Sequence, residues 1–232
     1  MNQQHLLCTI GMADTCELFA QAFAFPTKEL AAAMSSGAFQ EDLSSCLAYA
    51  GVTNTEPAPS ARQALENLRG CDAGELFERL RVAYSLTYLA PGSRVPVWPY
   101  EAAFRHVKEG KGGVPTLFRA PVTVSVEHHM RSAGVLPADS RTEPCDGIDK
   151  ELAFLSFLLG NVAKAIQEEN AEEERVWETR IRSFVGEHAS RWMPDFFEAS
   201  VGFEEAETYR SLALCAEPLA RELIERYGEG EV

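Results

Sequence analysis

Apolar residues recur at helical spacing along almost the whole chain. In residues 3–24, Leu6, Ile10 and Phe23 are examples of this spacing, and Pro26 ends the segment. Because side chains three and four positions apart share one face of a helix, the pattern predicts amphipathic helices. The predicted helices cover residues 3–24, 27–34, 36–50, 60–69, 72–88, 101–109, 121–134, 146–166, 172–190, 194–201 and 203–227.

Three helix starts carry signals of their own. Asp72, with Glu75 three residues later, resembles a capping box in which Asp takes the usual place of Ser or Thr. Pro121 suits the first position of a helix, although the stretch VTVSV that follows has strand propensity and leaves a local strand open. Asp146 precedes a long apolar face, where its carboxylate could accept backbone N–H bonds at the start of that helix.

These patterns predict the fold class. The sequence contains no pair of strands joined by a hairpin turn and no repeat of fixed period. We therefore predict an all-α protein, a compact bundle of about ten helices in a single domain that spans residues 1–232. The loop at 53–60 leaves open a boundary between an N-terminal subdomain and the rest.

Charge narrows the classes of partner. The chain has 232 residues and a net charge of −14, which argues against nucleic acid and against stable insertion into an anionic membrane surface. An acidic surface suits a basic partner, although acidity most often serves solubility alone. The N-terminus lacks the basic segment of a secretory signal, and the longest apolar run, LAFLSFLLG, is too short to span a bilayer. We expect a cytoplasmic protein.

Residues with obvious chemistry are scarce. No C-x-x-C pair or zinc-like spacing is present; we expect Cys8, Cys16, Cys46 and Cys215 to be core thiols, with no metal and no cofactor. His128 and its neighbour point about 100° apart on a helix and so cannot easily share one ion. Phosphate-binding and catalytic-serine motifs are absent, which predicts a protein that is not an enzyme. Asp and Glu are abundant, so a catalytic pair of carboxylates stays open, but no pair stands out.

Two loops remain as candidates for recognition. In YLAPGSRVPVWPYE (residues 88–101), prolines restrict the backbone and Trp98 and Tyr100 are stiff, amphipathic side chains. A buried Trp98 that anchors the loop is an equally good interpretation. In EPCDGIDKELAFL (residues 143–155), Asp146 either caps the helix or offers a carboxylate to a guanidinium, and both roles together require that it stays partly exposed.

These stretches resemble the TorD/DmsD/NarJ family of molybdoenzyme maturation chaperones. YSLTYLAPGSRVPVWPYEAAF (residues 84–104) is similar to the family's helix that ends in a proline-rich loop. EPCDGIDKELAFLSFLL (residues 143–159) is similar to its E-P-x-D-H stretch, and FVGEHASRWMPDFFEAS (residues 184–200) to its H-x-x-x-W-x-P-x-F element. The family's histidine after the aspartate is Gly147 here, which puts twin-arginine recognition of the usual form in doubt.

The resemblance implies a non-catalytic, all-helical chaperone. Its implied partners are the apo catalytic subunit of a molybdopterin enzyme and the twin-arginine signal peptide of that subunit, bound by a monomer or a dimer. A nitrate-reductase-type factor for a client that is never exported and, less favoured, a nucleotide hydrolase are the alternatives. His188, Trp192 and Pro194 are expected to fix the bundle. The expected client-binding residues are Tyr84, Tyr88, Trp98, Pro99, Tyr100, Glu101, Asp146 and, more weakly, Glu151.

Overall fold

The computed structural model describes residues 2–52, 59–90, 95–138 and 142–228, and within these ranges helices are joined by turns and irregular segments. The only paired extended backbone in the described ranges is one antiparallel bridge between Tyr100 and Gly147. The predicted loop residues 53–58, 91–94 and 139–141 lie outside the description. The all-α prediction is confirmed. The elements are α1 (Asn2–Phe23), α2 (Lys28–Ser36), α3 (Ala38–Ala50), α4 (Pro59–Glu66), α5 (Ala73–Tyr88), α6 (Glu101–Lys108), α7 (Pro121–Ser132), α8 (Ile148–Gln167), α9 (Ala171–Phe184), a π-helical turn (Val185–Ala189), α10 (Ser190–Gly202) and α11 (Glu207–Tyr227).

Local signals fix two of the helix starts as predicted. The Asp72 carboxylate accepts hydrogen bonds from the backbone N–H groups of Gly74 and Glu75, each at 2.9 Å, and begins α5. Pro121 is the first residue of α7, where its missing N–H has no cost. The strand alternative for VTVSV is wrong, because that stretch forms α7 and buries Val126 against the core.

Helix α8 lies at the centre of the bundle and packs against α1 on one side and α9 on the other. Its apolar positions recur every three or four residues, and Leu155, Leu159 and Val162 are completely buried. Helix α1 also packs closely against α3 at Gly11, where a β-carbon would come within 2.4 Å of the Ala50 backbone nitrogen. Only glycine allows the two helix backbones to approach this closely.

A second part of the core is aromatic and joins α5, α10 and α11 to the end of α1. The Phe23 ring lies 5.8 Å from that of Phe196 and 5.5 Å from that of Phe197, and the Tyr88 and Tyr209 rings meet edge to face at 5.4 Å. Pairs in such tilted and edge-to-face geometry add stabilisation beyond the burial of their surface. This cluster holds the C-terminal end of α5 in place before the proline-rich loop.

The chain from α9 to α10 follows one continuous helical path. The Ser190 N–H donates to the carbonyl of Val185, five residues back, which defines the π-helical turn. Two separate helices with a break before Pro194 were predicted, and this detail is wrong because Pro194 lies inside α10. Proline removes one backbone hydrogen bond there, and the complete burial of Trp192 and Phe196 beside it outweighs that loss.

The six cysteines all fall in described residues, and none of them forms a disulfide. Cys16 and Cys215 are buried as predicted, whereas Cys8 and Cys46 are only half-buried and Cys145 is buried instead. Among the described helices, none combines the length and the apolar character that crossing a bilayer requires.

Candidate functional site

The starts of α6 and α8 are held side by side by the antiparallel bridge. The Glu101 N–H donates to the Asp146 carbonyl at 2.8 Å, and the Ile148 N–H donates to the Pro99 carbonyl at 2.9 Å. Two segments nearly fifty residues apart in sequence therefore meet at one point. In chain order, the proline-rich loop lies between α5 and α6, and the EPCDG segment lies between α7 and α8.

Asp146 caps a helix, but a different one from the helix that the sequence suggested. Its Oδ2 accepts a hydrogen bond from the Ala102 N–H at 2.9 Å, at the start of α6. The residue before α8 is Gly147, which has no side chain to act as a cap. The reason is the bridge, which turns the Asp146 carboxylate toward the neighbouring α6.

Glu101 forms hydrogen bonds with two other side chains of the site. Its Oε1 accepts from Arg105 Nη1 at 2.6 Å, and its Oε2 lies 2.7 Å from His188 Nδ1. His188 Nε2 in turn lies 3.1 Å from the Ser125 hydroxyl. Glu101 and His188 are buried, whereas Arg105 reaches the surface. The contacts join α6, α7 and the π-helical turn.

Glu151, on the first turn of α8, completes the cluster. Its Oε2 accepts a hydrogen bond from Trp192 Nε1 at 2.9 Å, and the side chain is completely buried. Burial and the nearby carboxylates of Glu101 and Asp146 raise the pKa of Glu151 well above its usual range. Glu151 Oε1 accepts no hydrogen bond from the described residues. When Glu151 is protonated, it can donate a hydrogen bond to Glu101.

Asp146 is also poorly suited to carry a charge in this environment. Burial raises its pKa to about 6, and the hydrogen bond from Ala102 only partly opposes that rise. Its Oδ1 is buried and has no hydrogen-bond partner among the described residues. These three buried carboxyl groups form the carboxyl cluster, which we define as Glu101, Asp146 and Glu151. Such clusters mark candidate functional sites.

On the solvent side of the carboxyl cluster, two aromatic rings of the loop lie near two acidic residues. Trp98 and Tyr100 are half-exposed while Pro99 between them is buried, so the two rings lie on the outer side of the loop. The Tyr100 hydroxyl donates to Glu143 Oε2 at 3.1 Å, and burial together with the charges of Glu143 and Asp149 raises the pKa of Tyr100. We name these four residues, Trp98, Tyr100, Glu143 and Asp149, the aromatic–acidic face.

The aromatic–acidic face continues toward α5. Tyr84 is largely buried, and burial together with the charge of Asp149 raises its pKa. The Phe25 ring packs edge to face on Tyr84 at 5.4 Å and is 46% exposed. Asp149 has a cationic neighbour, Lys150, at 3.7 Å.

The structure brings the sequence-predicted residues together but buries most of them. Asp146 is buried with its carboxylate toward the start of α6, so the condition for combining its capping role with guanidinium binding is not met. Glu101 and Glu151, predicted as client contacts, also have no exposed surface. Tyr84, Tyr88 and Pro99 are buried as well, so Trp98 and Tyr100 are the two predicted residues that are partly exposed.

The sequence analysis did not identify the two accessible acidic residues of the aromatic–acidic face. Glu143 and Asp149 flank Asp146 in the same stretch, and their only signal is that position. Nothing in the sequence connects Phe25 to the site. His188 and Trp192, expected to fix the bundle, are buried and hold Glu101 and Glu151 through hydrogen bonds.

Gly147 has a specific spatial setting. Its φ of −73° is open to any residue, so backbone strain does not require glycine here. A β-carbon at this position would meet Asp149 Oδ1 at 2.6 Å and the Tyr100 ring at 3.7 Å. A side chain at 147 would therefore emerge within the aromatic–acidic face and displace the Asp149 carboxylate.

Comparison with known proteins identifies a family. The family model described as nitrate reductase delta subunit matches residues 54–198, which is more than half of the chain and includes both the carboxyl cluster and the loop above it. No curated protein matches the chain.

Proposed function

The chain belongs to the nitrate reductase delta subunit family, and on that premise we propose that it is a cytoplasmic chaperone for the immature catalytic subunit of a molybdopterin oxidoreductase. The family consists of assembly chaperones for molybdoenzymes and not of catalysts. In the proposal, the chaperone holds the apo subunit until its cofactor is inserted and delays its export.

The finer part of the proposal is that the aromatic–acidic face binds the twin-arginine signal peptide of the client. The observation that carries it is the pair of half-exposed rings, Trp98 and Tyr100, beside the exposed Glu143. A guanidinium pairs with a carboxylate through charge-assisted hydrogen bonds and stacks on an aromatic ring. The apolar stretch behind the arginines suits the exposed Phe25 ring.

The carboxyl cluster has a different role in this proposal. Asp146 and Glu101 are buried, so they position the face and do not contact the peptide. The bridge between Tyr100 and Gly147 fixes the backbone at residues 99–101, and the Asp146 cap fixes the start of α6. A segment fixed in this way loses little conformational entropy when a peptide binds.

Titration calorimetry tests this role. The probe is the signal peptide of the molybdoenzyme catalytic subunit from the same genome, and the control peptide has Ala-Ala in place of Arg-Arg. We expect the Arg-Arg peptide to bind and the control to bind at least about tenfold more weakly, since loss of one charge-assisted contact costs about 1.5–3 kcal/mol.

Matched variants locate the binding surface. Trp98→Ala and Glu143→Gln should each weaken binding of the Arg-Arg peptide, whereas Trp177→Ala should not. Trp177, on α9, is also half-buried but belongs to a separate cluster with Phe157 on α8 and Arg180 on α9. Far-UV circular dichroism checks that the variants are folded. Equal binding of the two peptides, or equal losses in all three variants, would contradict the proposal.

A second candidate is an assembly factor whose client is never exported. Two observations favour it: the matching family is described by nitrate reductase, and Gly147 stands where the resembling motif has histidine. On this alternative the mature part of the apo subunit is the ligand. Binding to an apo catalytic subunit that lacks its leader, together with no heat of binding from the Arg-Arg peptide, would select it.

A further inference from the structure

A second cluster of chemically active side chains lies next to the carboxyl cluster. It consists of His129 on α7 and the adjacent residues Glu187 and His188 on the π-helical turn. One ring nitrogen of each histidine and one carboxylate oxygen of Glu187 all lie within 4.8 Å of one another. His129 Nε2 and Glu187 Oε2 are 3.4 Å apart. Two ligands of a tetrahedral zinc ion lie about 3.3 Å from each other, so this pair already has suitable spacing.

The second ring nitrogen of His188 is fixed in the way that metal-binding histidines require. Its Nδ1 faces Glu101 Oε2 at 2.7 Å, and Glu101 is itself paired with Arg105. Arg105 donates to the other oxygen of Glu101, so Glu101 is best placed as the acceptor for Nδ1–H, and Nε2 is then the nitrogen that can offer a lone pair. Metal-bound histidines usually donate their other N–H to a carboxylate in this manner. Nε2 contacts the Ser125 hydroxyl at 3.1 Å, and that hydroxyl can rotate when an ion takes its place.

Glu187 and His188 are neighbours on the π-helical turn, and their ligand atoms lie within 4.8 Å of each other. The turn closes through the hydrogen bond from Ser190 N–H to the Val185 carbonyl and is wider than an α-helical turn. Single π-helical turns inside α-helices occur frequently at functional sites.

Access also suits an ion. Glu187 is exposed, His129 is half-buried and His188 is buried, so the cluster is open to solvent at Glu187.

We propose that His129, Glu187 and His188 bind one divalent transition-metal ion, with zinc as the simplest case and a fourth position open to water or to another ligand. Two imidazole nitrogens and one carboxylate suit zinc, nickel or cobalt and do not suit magnesium or calcium, which take oxygen ligands. The ion joins α7 to the π-helical turn. Through His188 and Glu101 it also stiffens the carboxyl cluster beneath the aromatic–acidic face. The proposal does not depend on the proposed function.

Metal titration of the full chain, stripped with a chelator and desalted, tests the site. Zn²⁺ binding is measured by competition with a chromophoric chelator, and Co²⁺ is added separately to record the visible absorption of its protein-bound form. We expect one equivalent of Zn²⁺ to bind to the wild type, and a Co²⁺ spectrum that added Zn²⁺ abolishes. His129→Gln and Glu187→Gln should each weaken binding by at least about tenfold.

The control variant is His128→Gln, on the same helix but at an exposed position outside the cluster. It should leave both the affinity for Zn²⁺ and the Co²⁺ spectrum unchanged. A second group in the described chain, formed by His5, Glu174 and Glu178, could also hold an ion. The variant His5→Gln shows whether the ion binds there instead. Three outcomes overturn the proposal: no binding by the wild type, equal binding by His129→Gln and the wild type, or binding that His5→Gln abolishes.

Discussion

At the scale of single residues, Asp146 couples folding to proton uptake. Its pKa is about 6 in the folded protein, against a usual value of 3.8, because burial opposes its charge. The folded state therefore holds a proton that the unfolded chain has already released between about pH 4 and pH 6. The contribution of Asp146 to stability is complete below pH 4 and is lost as the pH rises through 6. The loss is on the order of 3 kcal/mol, from a shift of about two pKa units.

Asp146→Asn tests this coupling. The free energy of unfolding is measured by urea denaturation between about pH 4 and pH 8, for the variant and for the wild type. We expect the wild type to lose stability relative to the variant as the pH rises, since asparagine cannot ionise. A constant offset between the two proteins does not matter, because only the slope of the difference is used. A flat difference over the whole range would show that Asp146 is ionised without cost.

Glu151 allows a comparison of two substitutions at one position. Glutamine keeps an acceptor for the Trp192 indole N–H and, like the protonated acid, carries no charge. Since the raised pKa makes ionised Glu151 unfavourable in the folded state, Glu151→Gln should match or exceed the stability of the wild type at pH 7. Glu151→Ala should lose about 2–4 kcal/mol, because the indole N–H is left unpaired and a cavity forms.

Guanidinium denaturation followed by tryptophan fluorescence checks both variants. If Glu151→Gln is destabilised as strongly as Glu151→Ala, the folded protein needs the ionised carboxylate, and the assignment of a proton to Glu151 fails.

At the scale of elements, the start of α5 depends on one exposed carboxylate. Asp72 accepts two backbone hydrogen bonds there, and α5 carries Tyr84 toward the aromatic–acidic face. Asp72→Ala should lower the free energy of unfolding by about 1 kcal/mol, whereas Asp72→Asn should change it little, because asparagine is an equally good cap. Urea denaturation of the two variants measures the difference, and a loss of the same size in both would mean that capping is not the cause.

The elements show what the sequence could predict. Asp72 and Pro121 act on their own helices, so local patterns were enough to identify both starts. Asp146 acts on α6, and its backbone and side chain bond to residues more than forty positions away. A local pattern therefore assigned it to the wrong helix. Its burial could not be predicted either, because that follows from the packing of α6, α8 and α10.

The candidate site shows the same difference between local signals, which the sequence reveals, and long-range contacts, which it does not. Trp98 and Tyr100 were predicted from composition and proline content, which are local properties, and the structure leaves both half-exposed. The bond between Glu101 and His188 joins residues 87 positions apart. No spacing rule relates such residues, and the π-helical turn that directs His188 inward has no signal in the sequence.

At the scale of the whole molecule, net charge and fold act on different properties. The helices are held by apolar burial around α8 and by the aromatic cluster, not by the charges, most of which lie on the surface. A net charge of −14 instead sets the long-range field that a basic peptide meets before contact. The Lys150 ammonium next to Asp149 shows that the aromatic–acidic face itself is not uniformly acidic.

Salt therefore separates the long-range field from direct contacts in peptide binding. At an ionic strength of about 0.1 M the field of exposed charges is screened beyond about 10 Å, whereas ring stacking and apolar contact are not screened. The affinity for the Arg-Arg peptide should fall as salt rises from about 0.05 M to about 0.5 M and then level off at a value set by Trp98, Tyr100 and Phe25. Calorimetry with the Ala-Ala peptide over the same range should show a much shallower slope. Trp98→Ala should lower the value at high salt without changing the slope, and if it changes the slope alone, the ring acts through the field and not through contact.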